Sequence, residues 1–591
     1  MVYNRIIKEY KLENAMRIRD VEQLTGLSRK TIRFYEAKGL LNVGRSDNSY
    51  REYDEDMVEQ LRRIAVLRRA GISLGDIQLW QDSVITTSEM LHKRLHELRS
   101  AADIAMDQVK LCSDLLESMD TQRYRLDGFE DESDLPEREP VLPCIGIDIG
   151  TTTISAVVLD PAAGESAGVY TLPNDSNLES GNLWEKQQDP DKIIERIDRL
   201  MESLLRRYPG VKCIGITGQM HGIVYVNADG CAVSPLYTWQ DERAGQGNPS
   251  SCRLLFEKTG YTVSPGYGLA THFDEQRNGK VPADAVKICT IMDYVVMHLC
   301  GNKSPVTHSS NAASFGLYRT DENRFDTDAV GKAGMDPRIL PDVTDGCEIV
   351  GTFRGIPVAA AIGDNQASFM GSVRDPLESA LANFGTGSQI SMLGGGTYSD
   401  SAIEIRPFME GRRLLSGSAL CGGRAYALME RFFRAYVTAC GMAVSEQYDV
   451  MNTLARRGIE SGRILDMRTT FCGTRNDPTL RGSICGISED NLTPEAMIAG
   501  TLYGMARELY GMFEKMPHEH VRTLITSGNA VRKNPALRMM LEQVFGMEIR
   551  VPVHREEAAF GAAMFSAMAS GCVTDMETLT ACIRYEENQQ Y

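Results

Sequence analysis

A glycine turn flanked by hydroxyl residues is the first place in this chain where side chains could do chemistry. Residues 145–149 have the apolar pattern of a buried strand that includes Asp148, and Gly150 follows at once. Three hydroxyl residues come next: Thr151, Thr152 and Thr153. Glycine lets backbone N–H groups approach an anion, and hydroxyls beside a carboxylate suit a metal–nucleotide phosphate group. Because residues 156–159 are apolar again, the pattern predicts a phosphate-binding turn between neighbouring strands.

A second group of polar residues follows a later apolar stretch, residues 214–218. The group is Gln219, Met220 and His221. Polar groups at the end of a buried strand are typical of substrate sites in α/β domains. Further on, Trp239 and Asp241 combine an aromatic face with a carboxylate, which suits a polyhydroxylated ligand. For His221, a purely structural hydrogen bond in the strand turn remains the alternative.

Three further blocks complete the chemistry-bearing set. A strand of small residues ends at Asp364, whose carboxylate could accept the proton of an attacking hydroxyl. A second glycine–hydroxyl turn suits a transferred phosphate: Gly385, Thr386 and Gly387. Small residues around Gly528 and Asn529, with residues 558–563, would let a flat adenine lie against backbone. Each block alone is weak evidence, since Asp364 could be a helix cap and a single glycine turn is ordinary loop chemistry. Two pairs of arginines, Arg412 with Arg413 and Arg431 with Arg434, are interpreted as solvated surface.

The whole chain is too long for one hydrophobic core. Its 591 residues predict three or four domains. The formal net charge of −17 argues against nonspecific nucleic-acid binding by the whole surface, and no apolar run is long enough to span a membrane. Fourteen scattered cysteines without a C-x-x-C pair are typical of a reduced cytoplasmic protein rather than of a disulfide or zinc framework.

The front segment has its own pattern. Residues 17–24 predict a short helix, Gly26 a turn, and Ser28 the cap of a second helix that carries three cations. These cations are Arg29, Lys30 and Arg33. A turn-rich stretch after Gly39 suits a β-wing with three further contact residues: Arg45, Tyr50 and Arg51. A helix–turn–helix with a wing predicts DNA binding, with the second helix reading bases and the wing touching phosphates.

Apolar residues then recur at heptad spacing. They are Leu91, Leu95, Leu98, Ala102, Ala105, Val109, Cys112 and Leu116. About four heptads predict a two-helix coiled coil, although the stripe could also pack on its own chain. The acidic, proline-containing residues 121–143 predict an extended linker.

The front segment resembles the MerR family of transcriptional regulators. The resemblance rests on residues 28–41, on Tyr50–Tyr53 and on residues 70–77, and it covers about residues 16–82. It implies double-stranded DNA as a partner and homodimerisation through the coiled-coil helix. The alternative is a relic domain used only to dimerise.

The five blocks in this order resemble the FGGY family of carbohydrate kinases over residues 144–591. Within that family, residues 238–241, 266–271, 293–296, 299–301 and 310–316 look more like sedoheptulokinases than like xylulokinases or glycerol kinases. Residues 383–389 depart from the animal sedoheptulokinases. Residues 527–529 depart from the glycine pair common in the family, which puts the adenine contacts in doubt.

The resemblance implies ATP and Mg²⁺ as cofactors and a ketose as substrate. Asp148 would hold the metal, the two glycine–hydroxyl turns the phosphates, and Asp364 would be the catalytic base. The sugar site would be lined by Gln219, Met220, His221, Trp239, Asp241 and Asn311. Sedoheptulose is the first expectation and xylulose an alternative. A second alternative is a transcriptional regulator whose kinase-like part only senses a sugar or nucleotide.

The expected fold is α/β: a two-lobed, actin-like (ribonuclease-H-like) sugar kinase preceded by a winged helix-turn-helix rich in α structure and a coiled-coil helix. The expected domains are the DNA-binding domain at 16–85, the dimerisation helix at 86–120, the linker at 121–143, and kinase lobes at 144–377 and 378–591.

Overall fold

The computed structural model of the chain resolves two compact units. It describes residues 16–41, 44–45, 51–95, 143–395, 400, 402–409, 411–442, 446–474, 477, 479–574 and 576–586. One unit takes Met1–Met119 with Glu195–Pro209, and the other takes Asp120–Ile194 with Gly210–Tyr591. Among the described residues, no helix combines the length and apolar character needed to cross a membrane.

The N-terminal unit opens with two short helices and a small hairpin. Its elements are α1 (Ile18–Thr25), α2 (Arg29–Ala37), β1 (Gly44–Arg45), β2 (Arg51–Glu52), α3 (Glu55–Arg69) and α4 (Leu74–Gln81). Gly26 ends α1, and the Ser28 hydroxyl begins α2 by accepting the Thr31 backbone N–H at 3.1 Å. Strands β1 and β2 pair antiparallel. The helix–turn–helix and the paired backbone of the wing therefore form where the sequence predicts them.

The same unit contains a small closed core and the segment Glu195–Pro209. Fully buried apolar residues are Val21, Ile32, Leu61, Ile64 and Ile77. Within the unit, Arg196 donates to Glu89 at 2.9 Å, and Arg207 forms an ion pair with Asp82. Residues 87–95 are helical, but the predicted seam from Leu98 onward lies outside the described residues. The coiled coil therefore stays a prediction.

The second unit is mixed α/β. Its strands are β3 (Cys144–Ile149), β4 (Thr153–Asp160), β5 (Glu165–Pro173), β6 (Gln187–Gln188), β7 (Cys213–Gly218), β8 (Val224–Val226), β9 (Leu236–Tyr237), β10 (Lys287–Cys289), β11 (Val306–His308), β12 (Tyr318–Arg319), β13 (Arg324–Phe325), β14 (Asp342–Thr344), β15 (Ile349–Phe353), β16 (Ile356–Ala359), β17 (Ser379–Phe384), β18 (Ser388–Gly394), β19 (Ile403–Pro407), β20 (Arg413–Ala419), β21 (Asp466–Arg468), β22 (Ser483–Cys485), β23 (Thr523–Ser527) and β24 (Glu548–Arg550).

In the sequence, the remaining helices alternate with these strands or follow the last one. Most of the first of them, α5, belongs to the segment Glu195–Pro209 of the N-terminal unit. They are α5 (Pro190–Arg207), α6 (Ser251–Thr259), α7 (Gly268–Arg277), α8 (Ile291–Cys300), α9 (Ser309–Ala313), α10 (Thr327–Ala333), α11 (Asp364–Ser372), α12 (Gly423–Ala439), α13 (Tyr448–Glu460), α14 (Pro494–Phe513), α15 (Asn529–Lys533), α16 (Pro535–Phe545), α17 (Glu557–Ala569) and α18 (Met576–Ala581).

Two six-stranded sheets organise this unit. Their strand orders are β15-β16-β7-β3-β4-β5 and β19-β20-β18-β17-β23-β24. Each sheet contains a hairpin, β3–β4 or β17–β18, whose first strand also pairs with a parallel neighbour, β7 or β23. The two hairpin turns are the two predicted glycine–hydroxyl turns. The prediction of an α/β fold with two related halves is confirmed.

Helix α17 crosses the first sheet at very short range. A Cβ atom on Gly146 would lie 1.9 Å from the carbonyl oxygen of Ala559, so only glycine lets the helix backbone lie on β3. This contact places the N-terminus of α17 beside the Asp148 end of the sheet. The expected lobe boundary at 377–378 falls between α11 and β17.

Candidate active site

A cavity of about 950 Å³ lies beside both hairpin turns. The predicted phosphate and nucleotide residues that line it are Thr153, Gly385, Thr386, Gly528 and Asn529. Its cationic lining residues are Arg424, Arg431, Arg532 and Arg555. Hydroxyl, backbone amide and guanidinium donors around one cavity suit a polyphosphate. Arg431, expected on the solvated surface, is exposed and also lines this cavity.

The wall of this cavity depends on the backbone at Gly528. Its φ is 95°, and a Cβ atom there would lie 2.4 Å from the carbonyl oxygen of Phe384. An L-residue would be strained and would clash at the same time. The residue that departs from the expected glycine pair is therefore Asn529, while the position that requires glycine retains it.

Asp148 lies in β3 next to the first turn, among other carboxylates. Burial, followed by the charges of Asp364, Glu556 and Glu557, raises the pKa of Asp148 to about 8. Glu556 and Glu557 line the large cavity. The carboxyl group of Asp148 thus sits between the nucleotide cavity and Asp364, in a place where added positive charge is favourable.

Asp364 is the first residue of α11, and four residues without regular structure separate it from β16, which ends at Ala359 rather than continuing to the helix as the sequence predicts. Burial raises its pKa to about 6, while the charge of Arg406 and the backbone N–H of Asn365 act in the opposite direction. Its Oδ1 atom is buried and has no hydrogen-bond partner among the described residues. A buried carboxylate with an unused oxygen and a pKa near 6 is suited to accept a proton near neutral pH.

A second cavity, of about 210 Å³, is lined by Ser310, whose hydroxyl accepts the backbone N–H of Gly363, the residue before Asp364, at 3.0 Å. Its lining residues include Met220, His221, Tyr261, Tyr267, Ser310, Ser314, Tyr318, Glu404 and Arg406. His221 has φ of 73°, its Nδ1 lies 2.8 Å from the carbonyl oxygen of Ser314, and its ring stacks on Tyr267 at 4.6 Å between centroids. The His221 ring is therefore held in place by the turn and also forms part of the cavity wall.

Arg406 and Glu404 were not identified from the sequence. Both lie on β19 of the second sheet, and the Nη2 and Nε atoms of Arg406 donate to Glu404 Oε2 at 2.6 and 3.0 Å. The Arg406 Nη1 atom is buried without a partner among the described residues. Its charge also acts on Asp364. A guanidinium between the small cavity and the proposed base suits recognition of sugar hydroxyls.

Three predicted sugar residues do not line the small cavity but brace its surroundings. Trp239 Nε1 donates to Thr151 Oγ1 at 3.1 Å, and Gln219 Nε2 donates to Gln188 Oε1 at 2.7 Å. Asn311 Nδ2 donates to the carbonyl oxygen of Ala361 at 2.9 Å. These bonds connect the predicted sugar motifs to the phosphate turn and to the strand before Asp364. Of the other phosphate-turn residues, Thr152 is exposed and Gly387 completes the second turn.

Asp241 is fully buried in an ion pair. Its two carboxylate oxygens accept from the Nε and Nη2 atoms of Arg243 at 2.7 and 3.0 Å, and Arg243 also pairs with Glu275 at 2.6 Å. The backbone N–H of Lys186 donates to Asp241 as well. With both oxygens engaged, Asp241 lies away from the cavity surface and holds the loop after Trp239.

The carboxylates around Asp148 fit a hard divalent cation. Such ions prefer carboxylate oxygens, and Mg²⁺ is commonly held by one or two carboxylates together with phosphate oxygens and water. Burial is the largest cause of the raised pKa of Asp148, and the neighbouring carboxylates raise it further by disfavouring another negative charge, which a cation would compensate.

The predicted DNA-contacting cations of α2 lie together on an exposed face. Arg29, Lys30 and Arg33 are all exposed, and the Nε atom of Arg29 pairs with Glu22 at 2.8 Å. The backbones of Arg45 and Arg51 pair with each other across the small hairpin. Their side chains, and Tyr50 altogether, lie outside the described residues.

Three family descriptions match this chain. The description "FGGY family of carbohydrate kinases, N-terminal domain" matches residues 144–382, and the corresponding C-terminal domain matches residues 466–570. The description "MerR HTH family regulatory protein" matches residues 16–83. The two kinase matches together cover more than half of the chain.

Individual relatives are more distant. The chain is 27% identical over 461 residues to sedoheptulokinase from Mus musculus, covering 71% of this chain and 96% of the relative. It is 24% identical over 468 residues to a xylulose kinase from Streptomyces rubiginosus, covering 75% and 90%. Its fold is similar to the crystal structure of a gluconate kinase from Lactobacillus acidophilus, with a TM-score of 0.66, 18% identity and coverage of 76% and 93%.

Proposed function

The chain belongs to the FGGY family of carbohydrate kinases and carries a MerR-type helix-turn-helix domain, and from this premise we propose that it phosphorylates the terminal hydroxyl of a ketose with ATP. One observation carries the proposal. Asp364 interacts with Arg406, which lines the small cavity, and with Asp148, which interacts with two glutamates of the large cavity. The charges that act on these two buried carboxyl groups therefore come from residues that line both cavities.

The reaction that this arrangement supports is a direct phosphoryl transfer. Asp364 Oδ1 accepts the proton of the terminal hydroxyl as its oxygen attacks the γ-phosphorus. The bond between that phosphorus and the β–γ bridging oxygen breaks, and ADP leaves. Thr153, Gly385 and Thr386 hold the phosphates through hydroxyl and backbone donors. Most of the acceleration comes from positioning and charge neutralisation.

Asp148 is the residue that we propose to hold Mg²⁺, directly or through water. When bound, the ion neutralises phosphate charge. The other nucleotide contacts belong to the chain itself, with Arg424 and Arg431 as additional partners for the phosphates and Gly528 and Asn529 beside the base.

Sedoheptulose is the substrate that we propose first, with xylulose as the alternative. The support is the set of sedoheptulokinase-like sequence blocks and the similarity to the mouse sedoheptulokinase. Three tyrosines of the small cavity offer aromatic faces for sugar carbons: Tyr261, Tyr267 and Tyr318. Arg406 and Glu404 offer charged partners for the hydroxyls.

The test is a panel of ketoses with Mg²⁺ and ATP, measured as ADP production. We expect turnover with one ketose to exceed the others, and Asp364→Asn to lower kcat by at least about 100-fold, because the substituted amide cannot accept the proton. Asp336→Asn, at an exposed helix cap, is the matched control and should keep full activity. Equal turnover by Asp364→Asn and the native chain would exclude Asp364 as the base, and a native chain that turns over no ketose would favour a sensing role.

The second proposed function is double-stranded DNA binding by a homodimer. The exposed cations of α2 support DNA binding, and Leu91 and Leu95, 45% and 44% exposed, support a self-association surface. A cytoplasmic location is part of the same proposal. Fluorescence anisotropy with DNA from upstream of the coding region tests it. Arg33→Ala should weaken binding about tenfold or more, and Arg253→Ala, at an exposed position in a helix of the kinase unit, should not. Binding that is the same in both variants would exclude α2 as the reading helix.

A further inference from the structure

Three cysteines that are far apart in the sequence come together at one end of the first sheet. Cys144 and Cys213 are the first residues of β3 and β7 and face each other in the parallel register. Cys572 follows the end of α17. Their sulfur atoms all lie within 4.8 Å of one another, and they form the one such group of three metal-ligating residues found in the part of the chain that the structure describes.

A polar neighbour already orients one sulfur of the group. The hydroxyl of Ser566 donates to Cys213 Sγ at 3.3 Å. Hydrogen-bond partners of this kind orient the ligands of metal sites.

The three cysteines differ in burial. Cys144 and Cys213 are fully buried, whereas Cys572 is exposed. The group therefore extends from the interior of the sheet to the surface of the protein.

We propose that Cys144, Cys213 and Cys572 form a binding site for a single thiophilic cation of the Zn²⁺ class. Three sulfur ligands bonded at about 2.3 Å in tetrahedral geometry stand roughly 3.8 Å apart, so the observed spacing needs only a small contraction. Thiolates select soft or borderline ions over Mg²⁺ and Ca²⁺. Binding releases the thiol protons of the coordinating cysteines, and a water molecule completes the fourth position.

This cation site is structural and separate from phosphoryl transfer. Asp148 is four residues after Cys144 on β3, about 13 Å away along a strand. The strand that begins at Cys213 leads to Gln219, and the helix that ends before Cys572 begins at Glu557. A cation at the cysteines would therefore link the first residues of β3 and β7 to the segment that follows α17. The opposite ends of these three elements lie at the proposed nucleotide and sugar sites.

The experiment uses the reduced, chelator-treated full chain and titrates it with Cd²⁺ alone, following the ultraviolet charge-transfer absorbance of cadmium–thiolate bonds. We expect saturation at one equivalent, with competition by Zn²⁺. Cys572→Ala changes an exposed position, so the variant should fold. It should weaken Cd²⁺ binding by at least about 100-fold, because losing only a residue that hydrogen-bonds to a metal ligand already costs roughly 10–100-fold. Cys213→Ser should do the same.

Cys485→Ala is the matched control, since Cys485 is an exposed cysteine of another region. It should leave both the affinity and the one-equivalent end point unchanged. An unchanged Cd²⁺ affinity in Cys572→Ala would overturn the proposal. So would a disulfide between two of the three cysteines, found by mass spectrometry in protein kept under reductant.

Discussion

Arg406 allows a quantitative test of how charge tunes the proposed base. Its guanidinium is buried, pairs with Glu404 and lowers the pKa of Asp364 against the effect of burial. Asp364 is active in its ionised form, so activity is present above its pKa and is lost as the pH falls through it. Replacing Arg406 by methionine removes the charge and keeps much of the side-chain volume. The acidic limb of the kcat/KM profile should therefore move to higher pH.

The size of the shift follows from the ionisation equilibrium. An opposite charge a few ångströms away lowers a carboxyl pKa by about one to three units, and the low end is appropriate here. From a pKa of about 6, Asp364 is roughly nine-tenths ionised at pH 7. A shift of about one unit reduces that fraction to roughly half, and activity lost for this reason should return at about pH 8.5.

The assay is ADP production at low ketose and saturating Mg²⁺–ATP across pH 5.5–9. The bound cation and phosphates shift the pKa of Asp364 equally in every variant. The quantity compared is therefore the difference in pH between the acidic limbs of the variants and of the native chain. Glu404→Gln is the control: it leaves the Arg406 charge in place, and its limb should not move upward. An Arg406→Met protein that folds normally but keeps the native acidic limb would refute the electrostatic link between Arg406 and Asp364.

Two further predictions concern packing. Gly528→Ala should raise the KM for ATP and lower the free energy of unfolding by about 1–3 kcal/mol, because the new Cβ clashes with a carbonyl oxygen in a strained conformation. Gly546→Ala has positive φ but open space around it, so it should not change the KM for ATP, and equal KM effects would contradict the clash. Asp241→Asn should destabilise the chain by about 3 kcal/mol in chemical denaturation, because Arg243 stays buried with a weakened partner. Asp336→Asn, in an exposed pair, should cause little change, and similar losses in both variants would contradict this reasoning.

The local parts of the site could be predicted because short sequence patterns encode them. Each glycine–hydroxyl turn sits between two strand patterns, and both appear as hairpin turns on the wall of the large cavity. Asp364 follows its strand after four residues and is the first residue of α11, whose N-cap is Gly363 without a side-chain cap bond, so the alternative of Asp364 as a helix cap is wrong. The helix–turn–helix was predictable for the same reason, since Gly26 and Ser28 act within a few residues.

Contacts between distant segments could not be predicted in the same way. The sequence suggested Asp241 as a sugar ligand. In the structure Asp241 forms a buried ion pair with Arg243, which also pairs with Glu275 of a later helix. Arg406 looked like an ordinary strand residue, since nothing near it in sequence indicates that β19 passes the small cavity.

By itself, the sequence determined which motifs the chain carries and in what order: a helix-turn-helix, a first phosphate turn, the proposed sugar motifs, the proposed base and a second phosphate turn. These depend on residue types at short spacing, where the backbone alone fixes the neighbours. Only the tertiary structure decided which side chains share a cavity, which carboxylates raise the pKa of Asp148, and that Cys144, Cys213 and Cys572 meet. Those outcomes depend on sheet register and on the path of helix α17, which bring together residues hundreds of positions apart.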